Sequence, residues 1–132
     1  MSELEERLNQ LYAQGVVEIT AKQRVKELDI LRKELPKMKK DEQLIKSLKL
    51  FKALGNKNRL LILWLILKGV RCACEIEDLL NLSQSTVSHH INTLVDVGVI
   101  GAIKKGKWQL VEVQETNLSE DSLVKLIKDL FT

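Results

Sequence analysis

The first forty residues place apolar side chains with a helical period. Leucines and valines recur at three- or four-residue intervals, at Leu4, Leu8, Leu11, Val25, Leu28, Leu31 and Leu35. This spacing predicts amphipathic helices. Gly15 interrupts the pattern, so two helices and one kinked helix are both open. Pro36 is predicted to end this arm, because proline lacks a backbone N–H and disfavours a helix at Leu35.

Two further helices are predicted in the next part of the chain. The first runs from Asp41 to Leu54, and its apolar side chains are expected to face inward. They are Leu44, Ile45, Leu48, Phe51 and Leu54. The second helix starts at Asn56 and ends at Gly69. Since it is apolar almost all round, it is predicted to be the central helix of the core.

The following segment has the pattern of a helix-turn-helix. A short helix is predicted from about Cys74 to Leu80, and a longer one from Ser83 to Gly98. The longer helix carries an apolar stripe of residues that is expected to pack on the core: Val87, Ile91, Leu94 and Val95. Two short helices joined by so few residues predict a helix-turn-helix.

After Gly98 the pattern becomes extended. Apolar stretches at Val99–Ile103 and Trp108–Val113 flank a turn that contains Gly106, which predicts a β-hairpin. The final segment, Ser119–Phe131, is predicted to form an amphipathic helix.

Together these elements predict a mainly α fold with a β-hairpin wing, the winged helix-turn-helix. Residues 1–40 would form an N-terminal helical arm, residues 41–113 a DNA-binding domain and residues 114–132 a C-terminal helix. The arm is predicted to take part in dimerisation, because a chain this short usually buries an extra apolar stripe against something. A helix laid on its own domain is the other interpretation of the arm.

The helix from Ser83 has the polarity expected of a helix that contacts DNA. Ser83 can cap its start, and short polar side chains project from its first turns. The candidate DNA-binding residues on it are Gln84, Ser85, Thr86, Ser88 and His89. His90 is expected at the flank of the helix or towards a partner, because adjacent residues on a helix point about 100° apart.

Charge is distributed unevenly along the chain. The net charge is +3, whereas residues 45–113 contain ten Lys or Arg against five Asp or Glu, a balance of +5. No Lys or Arg occurs from Leu79 to Ile103. Attraction to phosphates is therefore expected from outside the helix, from Lys57, Arg59 and the basic segment before residue 41. The hairpin tip adds the candidate DNA-binding lysines Lys104, Lys105 and Lys107.

Composition excludes several classes of protein. The longest strongly apolar run, Leu60–Leu67, is too short to cross a membrane, so a cytoplasmic location without membrane association is expected. The sequence contains no pairing of a nucleophile with a base, no glycine-rich phosphate loop and no cluster of acids, which argues against an enzyme. Cys72 and Cys74 are separated by one residue, a spacing more natural for a reactive or metal-binding thiol pair in a reducing compartment than for a structural disulfide.

Three segments carry a resemblance to a known family. They are Leu54–Leu63, Cys72–Leu80 and Leu82–His90, the last of which reads Leu-Ser-Gln-Ser-Thr-Val-Ser-His-His. They resemble the ArsR/SmtB family of winged-helix repressors over roughly Asp41 to Val113. The resemblance implies a homodimer that binds double-stranded operator DNA and releases it when an inducer binds. It also implies that the terminal helices, including the C-terminal helix of residues 114–132, build the dimer. It also implies that Gln84, Ser85 and Ser88, together with His89, face the DNA.

The same resemblance implies a role for Cys72 and Cys74, since family members often sense thiophilic ions through a Cys-x-Cys at this place. Thiolates are the soft ligands that As(III), Cd(II), Hg(II) or Cu(I) prefer, and a helix N-terminus and Arg71 would favour the thiolate form. Arsenic-sensing relatives usually add a third cysteine at the position of Glu77, so Glu77 is a candidate third ligand here. An exogenous thiol is another candidate. Zinc-sensing relatives use histidines on the C-terminal helix, and this chain has none there.

Three interpretations of the cysteine pair stay open: a site for a soft metal or metalloid ion, a redox switch, and two small, partly buried residues without a chemical role. The sequence accordingly predicts a homodimeric transcriptional repressor released from DNA by a thiophilic ion. The alternatives are a redox-responsive or non-sensing winged-helix regulator and, from another class, a protein–protein interaction module.

Overall fold

The computed structural model describes residues 2–15, 19–113 and 129. The predicted helix at Ser119–Phe131 and the rest of the predicted segment 114–132 lie outside the described residues, apart from residue 129. The chain divides into two compact units, of which the first runs to Ile45 and the second begins at Lys46. In the described part of the chain, no helix is long and apolar enough to span a membrane.

The N-terminal arm consists of two helices, α1 (Glu3–Ala13) and α2 (Ala21–Lys39), which pack against each other. Each begins at a hydroxyl that accepts a hydrogen bond from a backbone N–H of the first turn, at Ser2 and Thr20 respectively. Gly15 lies in the turn that follows α1 and has a φ of +72°. Of the two alternatives for the arm, two helices is therefore the one observed.

The prediction that Pro36 ends the arm is wrong, because Pro36 lies inside α2. A proline inside a helix removes the hydrogen bond that its own N–H would have donated to the carbonyl four residues earlier, and its ring crowds that carbonyl. Since Pro36 is in the last turn of a 19-residue helix, the remaining backbone hydrogen bonds keep the helix intact up to Lys39.

Helix α3 (Glu42–Leu54) begins at Asp41, whose carboxylate accepts hydrogen bonds from two backbone N–H groups of the first turn. The predicted inward face is wrong at four of its five positions, where the side chains are 42–58% exposed: Leu44, Ile45, Leu48 and Phe51. Only Leu54 is buried, next to Ala53. A helical period identifies an apolar face, but it does not establish that the same chain covers it.

The core of the second unit surrounds helix α4 (Lys57–Leu67), which begins at Asn56. Its side chains Ile62, Leu63 and Ile66 are at most 1% exposed, which confirms the prediction of a central helix. Buried residues of the other elements described up to residue 113 belong to the same cluster: Leu54, Ala73, Ile76, Val87, Ile91, Leu94, Val99, Ile100 and Val111.

Helix α5 (Ala73–Leu80) and helix α6 (Gln84–Asp96) form the helix-turn-helix. Asn81 between them has a left-handed backbone with φ of 52°, a conformation that asparagine tolerates better than most residues. Strands β1 (Ile100–Lys105) and β2 (Trp108–Val113) pair antiparallel, from Ile100 opposite Val113 to Lys105 opposite Trp108. The predicted helix-turn-helix and wing are therefore both present.

The wing is joined to the start of α5 by backbone pairing. Cys72 forms an isolated antiparallel bridge with Leu110. The N–H of Val111 also donates to the carbonyl of Arg71 at 2.8 Å. This contact attaches β2 to the two residues that precede α5, so the wing and the cysteine segment are held together.

Candidate nucleic-acid interface and cysteine cavity

Helix α6 is fixed on the core by one face and exposes the other. Val87, Ile91 and Leu94 are at most 1% exposed, as the apolar stripe predicted. The opposite face at the start of the helix exposes Gln84 and Ser85, with His89 one turn further on. The helix therefore presents a small polar surface on a rigid base, which is suited to base edges in a major groove.

The cap of α6 engages three polar side chains at its start, since Ser83 Oγ also lies 3.2 Å from Ser85 Oγ. Ser83 Oγ accepts a hydrogen bond from the backbone N–H of Thr86 at 3.2 Å. The same hydroxyl donates to Thr86 Oγ1 at 2.8 Å. Thr86, a candidate DNA-binding residue, is half-buried and already contacts the cap. Its geometry favours a role in ordering the first turn, next to the exposed Gln84 and Ser85.

One hydrogen bond joins the candidate reading helix to the wing. Ser88 Oγ donates to Gln109 Oε1 on β2 at 3.3 Å. Gln109 was not among the residues singled out by the sequence. In the sequence, Gln109 is distinguished only as a polar side chain between Trp108 and Leu110. Its contact with Ser88 depends on packing that brings together residues 21 positions apart.

The wing lysines Lys104, Lys105 and Lys107 are all exposed. Lys104 lies opposite Gln109 in the register and therefore on the same face of the hairpin, since directly opposed residues share a face. Lys107 Nζ lies 4.8 Å from the centre of the Trp108 ring, a cation–π contact. The hairpin tip thus carries three cations within one turn, next to the strand that contacts α6.

Arg59, from which attraction to phosphates is expected, also makes contacts inside the protein. Its guanidinium donates to the carbonyl of Ala53 and, at 3.4 Å, to that of Lys52, near the end of α3. Its Nη1 is 3.3 Å from Nδ1 of His90. These contacts use three of the five N–H donors of the guanidinium, so a role of Arg59 in binding phosphates stays a prediction.

The expectation that His90 lies at the helix flank or towards a partner is wrong, because His90 is only 8% exposed. The side chain lies beside the guanidinium of Arg59 on α4. Burial, followed by the positive charge of Arg59 and then by His89, lowers the pKa of His90 below its usual value. The ring is thereby kept neutral near neutral pH, which lets it lie beside an arginine.

Cys72 is the N-cap of α5, a role that the sequence did not reveal. Its Sγ accepts a hydrogen bond from the N–H of Cys74 at 3.3 Å. The carboxylate of Glu75 completes a capping box by accepting from the N–H of Cys72 at 3.0 Å. Arg71, expected to favour the thiolates, instead donates to the carbonyls of Ile66 and Val70, each at 2.9 Å. Both of these bonds come from its Nη1.

The structure joins the sulfurs of Cys72 and Cys74 as a disulfide, with the two Cα atoms 5.2 Å apart. Both sulfurs are therefore on the same side of the first turn of α5. Within residues 2–15, 19–113 and 129, no cluster of three His, Cys, Asp or Glu side chains could hold a metal ion. In this arrangement Glu77 does not complete a three-ligand set with the two cysteines.

A cavity of about 260 Å³ lies between α5, α6 and the wing. Its lining brings the cysteine pair together with residues from both DNA-binding elements: Cys72, Ala73, Cys74, Glu77, Gln84, Ser88, Lys107, Trp108 and Gln109. The predicted ligand Glu77 and three predicted DNA-binding residues share this space with the sulfurs. The other predicted residues, Ser85, Thr86, His89, Lys104 and Lys105, are not part of the lining.

Comparison with known proteins agrees with this geometry. The sequence profile described as "Bacterial regulatory protein, arsR family" matches residues 56–101. An uncharacterized HTH-type transcriptional regulator of Methanocaldococcus jannaschii is 37% identical over 90 residues, which are 67% of this chain and 99% of that protein. The chain belongs to the arsR family. The resemblance stated from the sequence is thus confirmed.

Two further proteins extend the comparison. An arsenical resistance operon repressor of Bacillus subtilis is 31% identical over 81 residues, 61% of this chain and 77% of the repressor. A homodimeric winged helix-turn-helix DNA-binding domain from Mycobacterium bovis has a TM-score of 0.57 and 24% identity, covering 67% of this chain and 78% of that domain. The second likeness confirms the winged helix-turn-helix fold.

Membership of the arsR family confirms that this chain is a DNA-binding transcriptional regulator and not an enzyme. It decides between the regulator and the protein–protein interaction module in favour of the regulator. The individual DNA-binding residues, the ligands of the cysteine site and the domain limits at residues 40 and 113 stay predictions.

Proposed function

We propose that this chain is a homodimeric repressor that releases operator DNA when a thiophilic metal or metalloid ion binds to Cys72 and Cys74. The observation that carries the proposal is the cavity of about 260 Å³ that the two cysteines share with Gln84, Ser88 and Lys107. An effector held by the sulfurs would be in the same space as residues expected to contact DNA. The arsenical resistance repressor of Bacillus subtilis supports an effector of this class.

DNA binding would use the two elements that flank the cavity. Gln84 and Ser85 on α6, with Ser88 and His89, would read base edges in a major groove. Lys104, Lys105 and Lys107 on the wing would contact the neighbouring phosphates. In a homodimer, like the Mycobacterium bovis domain, two copies of α6 would enter successive major grooves about 34 Å apart.

The cysteine pair fits a soft ion in part. In the reduced protein two thiolates at the start of α5 would hold it, and a soft ion supplies strong bonds to sulfur there. Two thiolates are an incomplete set for a three-coordinate ion. Glu77 lines the same cavity, and its carboxylate could supply a further oxygen ligand. As(III), Cd(II), Hg(II) and Cu(I) are the ions to be compared.

Release of DNA would follow from the attachment of α5 to its neighbours. Cys72 pairs with Leu110 on the wing. The side chain of Ser88 on α6 contacts Gln109 on the same strand. Any movement of the first turn of α5 that accompanies ion binding would therefore reach both the reading helix and the wing. Both must keep their positions for two half-sites to be read together.

A redox-responsive regulator is the second candidate, and the direct contact of the two sulfurs favours it. Oxidation would convert two thiols to one disulfide with loss of two protons, and a small-molecule disulfide or a peroxide would accept the two electrons. The oxidised pair offers no thiolate to a soft ion. The two candidates therefore use the same sulfurs in different states.

Titration on DNA separates these candidates. The reduced protein is bound to a labelled fragment from upstream of its own gene, and affinity is measured by fluorescence anisotropy as As(III), Cd(II), Hg(II), Cu(I) or Zn(II) is added. At least one soft ion should weaken binding about tenfold or more, a typical coupling. The loss should disappear in Cys72→Ser and in Cys74→Ser.

Cys72→Ser is a favourable variant because serine is among the preferred N-cap residues, so α5 should keep its start. Glu77→Gln is the matched test of the third ligand, since it keeps the shape and removes the charge. An ion effect that persists in both cysteine variants, or no effect of any ion, overturns the ion-sensor proposal. If instead an oxidant weakens DNA binding and both cysteine variants resist it, the redox candidate takes its place.

A further inference from the structure

Helix α2 carries an apolar stripe that the first unit leaves open. Leu31 and Leu35 are each 52% exposed and Met38 is 53% exposed. These residues and the half-buried Leu28 line a cleft of about 710 Å³ that also includes Leu4 of α1. An exposed apolar surface of this kind on a soluble protein marks a place where something binds.

The spacing of this stripe is that of a two-stranded coiled coil. Leu28, Leu31, Leu35 and Met38 are separated by three, four and three residues. They therefore occupy the a and d positions of two heptads, with leucine at a and leucine or methionine at d. Pro36 falls at position b, on the outer side of the helix. The proline is therefore not in the seam.

The charges beside the stripe indicate which partner fits it. The two g positions are acidic, Glu27 and Glu34, and the two e positions are basic, Arg32 and Lys39. In a parallel pair each g residue faces the e residue five positions later on the other helix. Glu27 would then meet Arg32 of a second copy, and Glu34 would meet Lys39. An antiparallel pair would bring g against g and e against e, with like charges throughout.

We propose that α2 pairs with α2 of a second copy as a parallel two-stranded coiled coil over residues 27–39. The inference rests on the proposed homodimer and names one of its interfaces. Within one copy Glu27 contacts Arg24, and Arg32 contacts Asp29. Both are exposed pairs on one helix, a kind that contributes little to stability, so they do not prevent exchange for pairs between copies.

Charge reversal in the full-length protein tests the orientation. In Glu27→Lys/Glu34→Lys every g–e contact of the parallel pair becomes repulsive, and self-association measured by sedimentation should weaken about tenfold or more. The opposite variant, Arg32→Glu/Lys39→Glu, should weaken it similarly. The quadruple variant and a mixture of the two double variants should both associate like the wild type, because opposite charges again face each other.

An antiparallel pair predicts a different result. There the wild type already places like charges together, so neither double variant should change association. Equal self-association of the wild type and both double variants therefore overturns the proposal. The quadruple variant is also the folding control, since its helix carries all four changes and should still pair.

Cross-linking gives a second measurement of pairing between the α2 helices. It reports on this contact even if another interface in the chain also holds the dimer together. Met38→Cys is made in the Cys72→Ser/Cys74→Ser background and oxidised with diamide. In a parallel pair the d positions of the two copies face each other, so a covalent dimer should form rapidly. Ile30→Cys is the matched control, because Ile30 is 59% exposed at the outer c position. Its cross-linking should be at least about tenfold slower. Equal rates at the two positions contradict the coiled coil.

Failure of this inference is distinguishable from failure of the proposed function. If the charge variants and the cross-links show no pairing of α2, yet the wild type is a dimer that binds operator DNA, only the coiled coil is overturned. If the wild type is a monomer at concentrations that saturate DNA, the homodimer and the coiled coil are both wrong.

Discussion

Neutralising the three wing lysines should weaken DNA binding uniformly and reduce its dependence on salt. The variant is Lys104→Gln/Lys105→Gln/Lys107→Gln, which removes three exposed positive charges at one hairpin tip. Arg59 and Arg71 each donate to backbone carbonyls, which holds both side chains against the protein. The wing is therefore expected to supply a large share of the phosphate contacts.

The size of the effect follows from counterion release. Each phosphate contact contributes about 0.9 to the slope of log affinity against log salt concentration. Six wing lysines in a dimer would change this slope by up to about 5. Over a fourfold rise in salt, from about 50 to about 200 mM, the wild type should then lose up to about a thousandfold more affinity than the variant.

Fluorescence anisotropy on specific and unrelated DNA fragments at several salt concentrations measures both quantities. The matched control is Lys22→Gln/Lys26→Gln/Lys33→Gln, which removes the same charge from exposed positions of α2 outside the coiled-coil seam. It should change the slope by less than about one contact. A wing variant with the wild-type slope would refute the assignment of phosphate binding to the hairpin tip.

Two further predictions concern buried residues of the reading helix α6. Burial and Arg59 lower the pKa of His90 in the folded protein below its usual 6.5. As the pH falls below 6.5, His90 therefore takes up a proton in the unfolded protein before it does so in the folded protein. Stability in urea should therefore fall as the pH decreases from 6.5, with a shallower fall in His90→Gln; an identical fall contradicts this. Ile91→Ala empties a fully buried position and should cost about 2–5 kcal/mol in urea unfolding, whereas the exposed neighbour Asn92→Ala should change it by less than about 0.5 kcal/mol.

Local signals were sufficient to predict the helix-turn-helix and the wing. Ser83 caps α6 through a residue three positions away, and Gly106 supports the hairpin turn with φ of +61°. Helix caps and tight turns depend on a few consecutive residues, so they can be predicted from the sequence. The end of α2 was predicted wrongly because the effect of Pro36 depends on its distance from the end of the helix, which one residue does not indicate.

Contacts between distant segments were the part that sequence could not supply. The bond between Ser88 and Gln109, the burial of His90 beside Arg59, and the cavity that joins the cysteines to α6 all depend on how elements pack. The exposed face of α3 shows the same limit. Its period is clear, but whether Phe51 is buried depends on which surface covers it, and the described part of the chain leaves it 58% exposed.

The proposed release of DNA requires only a small coupling free energy, comparable to that of a few hydrogen bonds around Cys72. Allosteric coupling of about 1–3 kcal/mol changes affinity roughly 5- to 150-fold. One hydrogen bond contributes about 0.5–1.5 kcal/mol, and Cys72 lies at a junction of several: its own cap on α5, the box with Glu75 and the bridge to Leu110. Disturbing two or three of these would supply the whole coupling without a long path. A sensor placed at this junction therefore needs only a small local change at α5 to displace the wing and α6 from their DNA-binding positions.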